Sequence, residues 1–475
     1  MKKKIVTFSF FLTAILLLTN CGSSKNLDLS KVENLPKSYD GKSDSISAAN
    51  VPWKLIFTET VLQHLIDEGV KNNFDLLIAL EKINQSENRL TYSKRTLLPN
   101  LDFFTAAGQR KFGNYTMDWA GNKVTEMVPG RLIPMHLQDY SVGLKTTWEI
   151  DIWGKLKNKK RAAIYRFLST VEGKNLIITN LISEISKAYY QLVALDYEHE
   201  VIKETIKNQS AALDLMKIQR EVGFVNELAV KQFEAQLLNT KTLEFEVTQQ
   251  IVVLENKINN LLGRFPQPIA RTQNSWEKFN TTELKEGIPS ELLIHRPDVR
   301  MAENELYAAK ADVKAAKAAF YPSLRIDGSI GYQSFNTQYL FSTPSSIAYS
   351  IFGNLTAPLL NRKEIKLEFK NANSMQVEAL YNYHKSVING VIEVSTEVNR
   401  LKNLNEQLIM KKLQTDKLKY AVEISKDLFR AGKSNYLEVL SVQSNVLQAE
   451  MELINIKMEQ SLSRVNLYKA LGGGY

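Results

Sequence analysis

Cysteine is almost absent: the 475 residues contain one, Cys21. A single cysteine excludes an intramolecular disulfide. Proline is scarce and unevenly placed, with none between Pro134 and Pro266 and none after Pro358. Proline breaks helix interiors, so these spans predict very long helices. Histidine is rare and scattered (His64, His136, His199, His295, His384), and no H-E-x-x-H zinc pattern occurs. A P-loop and a G-x-S-x-G elbow are also missing. The chain therefore offers no local foothold for enzyme chemistry, and no metal or cofactor is expected. His295 reads as structural, beside a helix start with Pro297 at its first position.

The one long apolar run is Ile5–Leu18, preceded by Lys2, Lys3 and Lys4. It is short for a bilayer span and has the build of an export signal. Residues 1–20 are expected to be a signal peptide. Cys21 follows at the edge of the run and resembles the lipidated first residue of a bacterial lipoprotein. An ordinary signal with a chance cysteine is the plainer alternative. Gly22 is not the Asp that often retains such proteins in the inner membrane. Residues 21–52 would form a lipid-anchored tether. The net charge of +9 drops to +6 once the three signal lysines leave. For an exported chain that reads as a mildly basic surface rather than a nucleic-acid footprint.

What is abundant is repetition. From Gly223 to Gly263 the chain is helix-like, and an offset of 209 maps this stretch onto Gly432 to Gly472. Asn226 then meets Asn435, Leu228 meets Leu437, and Val230 meets Val439. Leu98-Pro99-Asn100-Leu101 pairs similarly with Tyr321-Pro322-Ser323-Leu324. Each half reads as helix–strand–strand–helix–helix. The expected repeats are residues 53–263 and 291–475, joined by a connector, 264–290, holding Pro266, Pro268, Gly287 and Pro289.

Four segments alternate with period two. Tyr140, Val142, Leu144, Thr146, Trp148 and Ile150 interleave with Ser141, Gly143, Lys145, Thr147 and Glu149. Leu324 to Tyr332 and Ile347 to Leu355 follow the same rule, and Leu101, Phe103 and Thr105 more weakly. Such strands have one apolar and one polar face. Aromatic residues near their ends (Tyr140, Trp148, Tyr332, Tyr349) favour transmembrane strands over a soluble sheet with one dry face. Residues 113–136 and 335–345 would be the intervening loops.

The remainder is helical. A helix is expected from Trp53 to Leu98 with a break near Gly69 and Pro99 as its stop. From Lys155 to Val222 only Gly173 interrupts helix-favouring residues. Ile164, Leu168, Val171, Asn175, Ile178, Ile182, Ile185, Tyr189 and Leu192 step by four and three there. Val247, Ile251, Leu254, Ile258 and Leu261 do so on the next helix, as in coiled coils. A helix of that length would reach roughly 100 Å, suited to spanning a periplasm.

Strand edges cannot stay open in lipid, and four strands cannot close a barrel. Several copies must therefore share one. This argument alone leaves two and three copies open.

Four motifs carry a family resemblance: Trp148-Glu149-Ile150-Asp151-Ile152-Trp153-Gly154-Lys155; Ile288-Pro289-Ser290-Glu291-Leu292-Leu293 with Arg296-Pro297-Asp298-Val299 and Ala302-Glu303; Phe320-Tyr321-Pro322-Ser323-Leu324; and Leu467-Tyr468-Lys469-Ala470-Leu471-Gly472-Gly473-Gly474. From about residue 50 onward the chain resembles the outer membrane efflux proteins of Gram-negative bacteria, the TolC-like factors of the NodT/OprM lipoprotein branch. Tyr475 stands where Trp is common. The resemblance implies a mixed α and β membrane protein: a homotrimer with a shared 12-stranded barrel continued by a coiled-coil tunnel. It implies a periplasmic adaptor and an inner-membrane RND-type pump (or an ABC exporter) as partners, with no catalysis by the duct.

Three sites follow. The turns Val222-Gly223-Phe224 and Ala431-Gly432-Lys433 would be periplasmic tips that meet the adaptor, although plain glycine turns would look the same. Glu438 would face the closed end of the tunnel as a gate, against a solvated helix-face glutamate. Its companion acid in relatives, three residues on, is Ser441 here. The basic run Lys155, Lys157, Lys159, Lys160 and Arg161 would lie near outer-membrane lipid, or simply be a charged helix face. The leading function is the outer-membrane channel of a tripartite efflux pump for small toxic compounds. The alternatives are the duct of a type I protein secretion system and a lipid-anchored coiled-coil scaffold without a pore.

Overall fold

The computed structural model describes residues 35–36, 38, 51–271, 289–358 and 362–474. Cys21, the signal peptide, most of the tether and residues 272–288 of the connector lie outside them. Element order is α1 (Trp53–Ile56), α2 (Thr60–Asn72), α3 (Phe74–Arg95), β1 (Asp102–Arg110), α4 (Met117–Val124), β2 (Glu126–Val128), β3 (Arg131–Leu132), β4 (Leu137–Ile150), α5 (Lys155–Glu221), α6 (Glu227–Leu261), α7 (Leu292–His295), α8 (Pro297–Ala318), β5 (Ser323–Ser334), β6 (Ile347–Thr356), α9 (Arg362–Arg430) and α10 (Tyr436–Ala470). The duplication is explicit: α3-β1-β4-α5-α6 parallels α8-β5-β6-α9-α10. α6 and α10 each have 35 residues, and their N-caps Asn226 and Asn435 stand at the same offset.

The chain divides into two compact units. The first holds Gln85–Phe167 and Glu305–Leu380. Its centre is a four-stranded antiparallel sheet in the order β1-β4-β5-β6. The register aligns side chains into rows across the sheet. Phe103, Leu144, Ile330 and Tyr349 form one row. Ile150, Leu324 and Leu355 form another. The opposite face carries the row Asp102, Lys145, Ser329 and Ser350, with Asn354 donating to Asp327 at 2.8 Å and Gln333 to Asp139 at 2.8 Å. The expected alternation thus holds, with Phe352, 62 % exposed, as an apolar intruder on the polar face. The loop between β1 and β4 contains structure of its own, α4 and the β2–β3 hairpin.

The second unit holds Leu168–Asn304, Tyr381 onward and the described residues up to Asn84. Ile182, Ile185, Tyr189 and Leu192 of α5 are buried, as their spacing predicts, and pack with Ile258, Leu62, Ile66 and Tyr468. Leu168, the second position of that series, is instead 40 % exposed.

Three boundaries differ from expectation. The helix expected from Trp53 is interrupted at residues 57–59, between α1 and α2, and breaks again at Asn73, not Gly69. Asn73 takes extended backbone angles, its Oδ1 accepts from Leu76 N at 3.1 Å, and its Nδ2 donates to the Leu261 carbonyl at 2.9 Å. Gly69 stays inside α2 because it is a contact point: a Cβ there would come within 2.5 Å of Ile185 Cδ1. The following helix also ends at Arg95 rather than Leu98, since the residues before Pro99 are biased away from helical angles.

The C-terminal glycines close this unit. Gly472 has φ +110, and a Cβ on it would lie 2.7 Å from the His295 carbonyl oxygen. Gly474 bridges Pro52 and accepts from Trp53 N at 3.1 Å and from the Tyr468 hydroxyl at 3.2 Å. The motif Leu471-Gly472-Gly473-Gly474 therefore ties the end of α10 to Pro52 and Trp53 at the start of α1.

Candidate functional site

The two helical hairpins end in turns built alike. α5 stops at Gly223, whose φ of +77 is reached without strain only by glycine. Gly223 N donates to the Arg220 carbonyl at 3.0 Å and Phe224 N to the Gln219 carbonyl at 2.8 Å. α9 stops at Gly432 with φ +69; Gly432 N reaches the Phe429 carbonyl at 3.0 Å and Lys433 N the Leu428 carbonyl at 2.9 Å. These bonds satisfy carbonyls that a helix end leaves orphaned. Three residues beyond each glycine an asparagine restarts a helix. Asn226 Oδ1 accepts from Ala229 N at 3.0 Å, and Asn435 Oδ1 from Glu438 N at 3.1 Å.

The two turns belong to one assembly. Leu213, Met216, Val230 and Phe233 of the first hairpin share a buried cluster with Phe429 and Val439 of the second. All six expected tip residues are exposed: Val222, Gly223, Phe224, Ala431, Gly432 and Lys433. Their surfaces differ. The first tip is apolar, with Ile218 59 %, Val222 75 %, Phe224 61 % and Leu228 58 % exposed, and Arg220 clasped to Glu227 at 2.8 Å across the turn. The second mixes charge with apolar surface: Lys433 is exposed, Arg430 lies 3.5 Å from Asp427, and Leu428 and Leu437 are 40 % and 46 % exposed. Ile218 and Leu228 were not singled out from sequence; their signal is apolar residues flanking the glycine turn where solvent would favour polar ones.

Glu438 is exposed in the first turn of α10. Its carboxylate accepts a hydrogen bond from the Ser434 hydroxyl, so it ties the turn to the start of α10 besides offering negative charge.

The second candidate surface is the sheet. Its apolar face has no cover among the described residues: Phe103 is 69 %, Ile330 58 %, Tyr349 79 %, Ile351 78 % and Leu355 70 % exposed. β1 and β6 each leave one edge without a partner strand among the described residues. Among those residues no helix is long and apolar enough to cross a membrane.

A duplicated strand-pair-and-hairpin chain with an uncovered apolar sheet has the fold of outer-membrane channels. The outer membrane channel MtrE of Neisseria gonorrhoeae, solved in its open state, superposes with a TM-score of 0.83 at 22 % identity, covering 96 % of this chain and 98 % of that one. The chain belongs to the outer membrane efflux protein family, whose profile matches residues 65–264 and 288–473. The cation efflux system protein CusC of Escherichia coli (strain CFT073) is 25 % identical over 427 residues, 90 % of this chain and 89 % of that protein. The probable outer membrane lipoprotein SilC of Salmonella typhimurium is 23 % identical over 446 residues, 93 % of each. The protein resides in the outer membrane as the outer-membrane component of an efflux system.

Proposed function

We propose that three copies of this chain form a passive exit duct for small toxic compounds, serving a tripartite pump. The observation that carries the reading is the four-stranded sheet with an exposed apolar face and two free edges. In lipid each unpaired backbone group costs several kcal/mol, so the edges must be paired. β1 and β6 run antiparallel to each other, so β6 of one copy can pair with β1 of the next without breaking the alternation. This head-to-tail contact closes into a ring. Three copies supply a 12-stranded barrel, with phenylalanine, isoleucine and leucine rows toward lipid and the Asp102–Lys145–Ser329–Ser350 row toward the lumen. The long hairpins extend the lumen as a helical tunnel. Cys21 carries the lipid anchor.

The apolar first tip, Val222–Phe224 with Ile218 and Leu228, and the mixed second tip, Ala431–Lys433, receive a periplasmic adaptor, behind which stands an RND-type inner-membrane pump. Exposed apolar groups beside a buried cluster suit a protein partner better than water. Glu438 lines the periplasmic gate, where a ring of carboxylates selects cations. The duct itself catalyses nothing. Nothing among the described residues favours a type I protein secretion duct over efflux of small compounds, and the uncovered sheet argues against a poreless scaffold.

The test is the native mass of full-length protein extracted from membranes in mild detergent. Three copies per particle support the shared barrel. A monomer would overturn it, because four strands cannot close.

A further inference from the structure

Both helices that follow a strand pair open with positive charge. α5 begins Lys155, Lys157, Lys159, Lys160 and Arg161 and has no acidic residue in its first turn. α9 begins Arg362 and Lys363, with Glu364 also in its first turn and Lys366 and Lys370 one and two turns on. A helix N-terminus already carries partial positive charge, so cations there are disfavoured. α5 goes furthest against this rule, with five cations in its first two turns, whereas α9 meets it in part through Glu364. α6, exposed at its start, obeys it with Glu227 in its first turn and Lys231 paired to Glu234 at 2.9 Å.

The Asp151 carboxylate offsets part of the cost at the start of α5, accepting from Leu156 N at 3.0 Å and Lys157 N at 2.7 Å, but the cationic side chains themselves are mostly unpaired. Lys155 meets Glu149 at 2.5 Å. Lys157, Lys159, Lys160, Arg161, Lys363 and Lys366 form no ion pair among the described residues. All but the half-buried Lys160 are exposed. The helices that lead into the strands end with the same sign, Lys94 and Arg95 on α3 and Lys317 on α8. All of these belong to the unit that holds the sheet.

Their place along the chain is specific. β4 ends at Ile150, and Lys155–Arg161 occupies the first two turns of the helix after it, about 10 Å of axis. The headgroup zone flanking a bilayer's hydrocarbon core is about 5–8 Å deep. Between strand and basic run stand Ile152, 54 % exposed, and Trp153, 49 % exposed. Trp153 is stacked on Tyr321 at 4.8 Å with its indole N–H donating to the Pro322 carbonyl at 2.7 Å. A ring with a fixed polar end and an apolar body suits the membrane–water boundary.

We propose that this basic collar is a docking surface for the phosphates of anionic phospholipids in the periplasmic leaflet of the outer membrane, which fix the depth of the barrel. The proposal rests on the membrane-barrel reading above. Each lysine within reach of an anionic headgroup favours binding about fivefold.

The experiment is native mass spectrometry of the full-length protein in detergent, with phosphatidylglycerol or phosphatidylcholine added. Wild type should retain phosphatidylglycerol at least about fivefold over phosphatidylcholine, less as salt rises. The variant Lys157→Gln/Lys159→Gln/Lys160→Gln/Arg161→Gln should lose the preference, as should Lys363→Gln/Lys366→Gln/Lys370→Gln in part. Lys157→Arg/Lys159→Arg/Lys160→Arg should keep it. Equal retention of the two lipids by wild type, or an undiminished preference in the glutamine variants, would overturn the proposal. The same spectra report copy number: trimers without lipid preference sink the collar alone, whereas monomers sink the barrel on which it depends.

Discussion

Replacing Arg296 by methionine should loosen the helical unit measurably, and the structure sets the size of the effect. The side chain is 7 % exposed. Its Nε and Nη2 donate to the two oxygens of Asp298 at 3.0 and 2.7 Å, and Nη1 donates to Glu393 at 2.8 Å and to the Ala470 carbonyl at 2.7 Å. One guanidinium therefore joins the start of α8, the middle of α9 and the end of α10. Burial alone would lower the affinity of Arg296 for its proton, yet Asp298 and Glu393 hold it above the ordinary arginine range. The charge is thus permanent and must stay paired. Removing one partner of a buried pair costs about 3–5 kcal/mol. Here Asp298 and Glu393 are 25 % and 50 % exposed, so water recovers roughly half of that. The Ala470 carbonyl, on a residue only 3 % exposed, adds about 1 kcal/mol for its lost donor. The expected loss is about 3 kcal/mol, a fall of about 3 °C in apparent Tm for a chain this long. Thermal unfolding of the full-length protein in detergent, followed by circular dichroism, measures it. Arg296→Lys keeps the charge but not the fork, and should recover about half. An Arg296→Met protein melting within about 1 °C of wild type would refute the reasoning.

Three further outcomes are expected. Glu438→Gln should reduce the cation selectivity of the pore in planar bilayers; unchanged reversal potentials under a salt gradient would remove the gate assignment. Val222→Ser with Phe224→Ser should weaken adaptor capture by about tenfold while leaving copy number intact, because two exposed apolar anchors are lost without touching the buried cluster; undiminished capture would move the contact elsewhere. Burial pushes the carboxyl of Glu59 above its ordinary 4.5, although a hydrogen bond from Tyr189 pulls the other way. A raised folded value means the folded state holds its proton more tightly. That contribution is therefore complete below pH 4.5 and fades as pH rises through the raised value. Glu59→Gln should flatten this decline, and a melting curve against pH identical to wild type would exclude it.

Much of this architecture is written locally. Helix length follows from proline placement: α5 runs unbroken from Lys155 to Glu221 because nothing in it removes a backbone donor. Strand faces follow from period two, and the tips from Gly223 and Gly432 followed by Asn226 and Asn435. These features depend on neighbours within a few residues, where backbone geometry fixes the spacing of side chains. The sequence alone could not reveal the rest, because the partners are far apart in the chain. The helix breaks at Asn73 rather than Gly69 because Leu261 offers a carbonyl and Ile185 needs the glycine's space. Arg296 is a clamp because Glu393 and Ala470 come to it. The two hairpin ends form one assembly because Leu213, Met216, Val230 and Phe233 of the first meet Phe429 and Val439 of the second. Such contacts are selected by packing among elements, where shape and desolvation act over distances that no local period encodes.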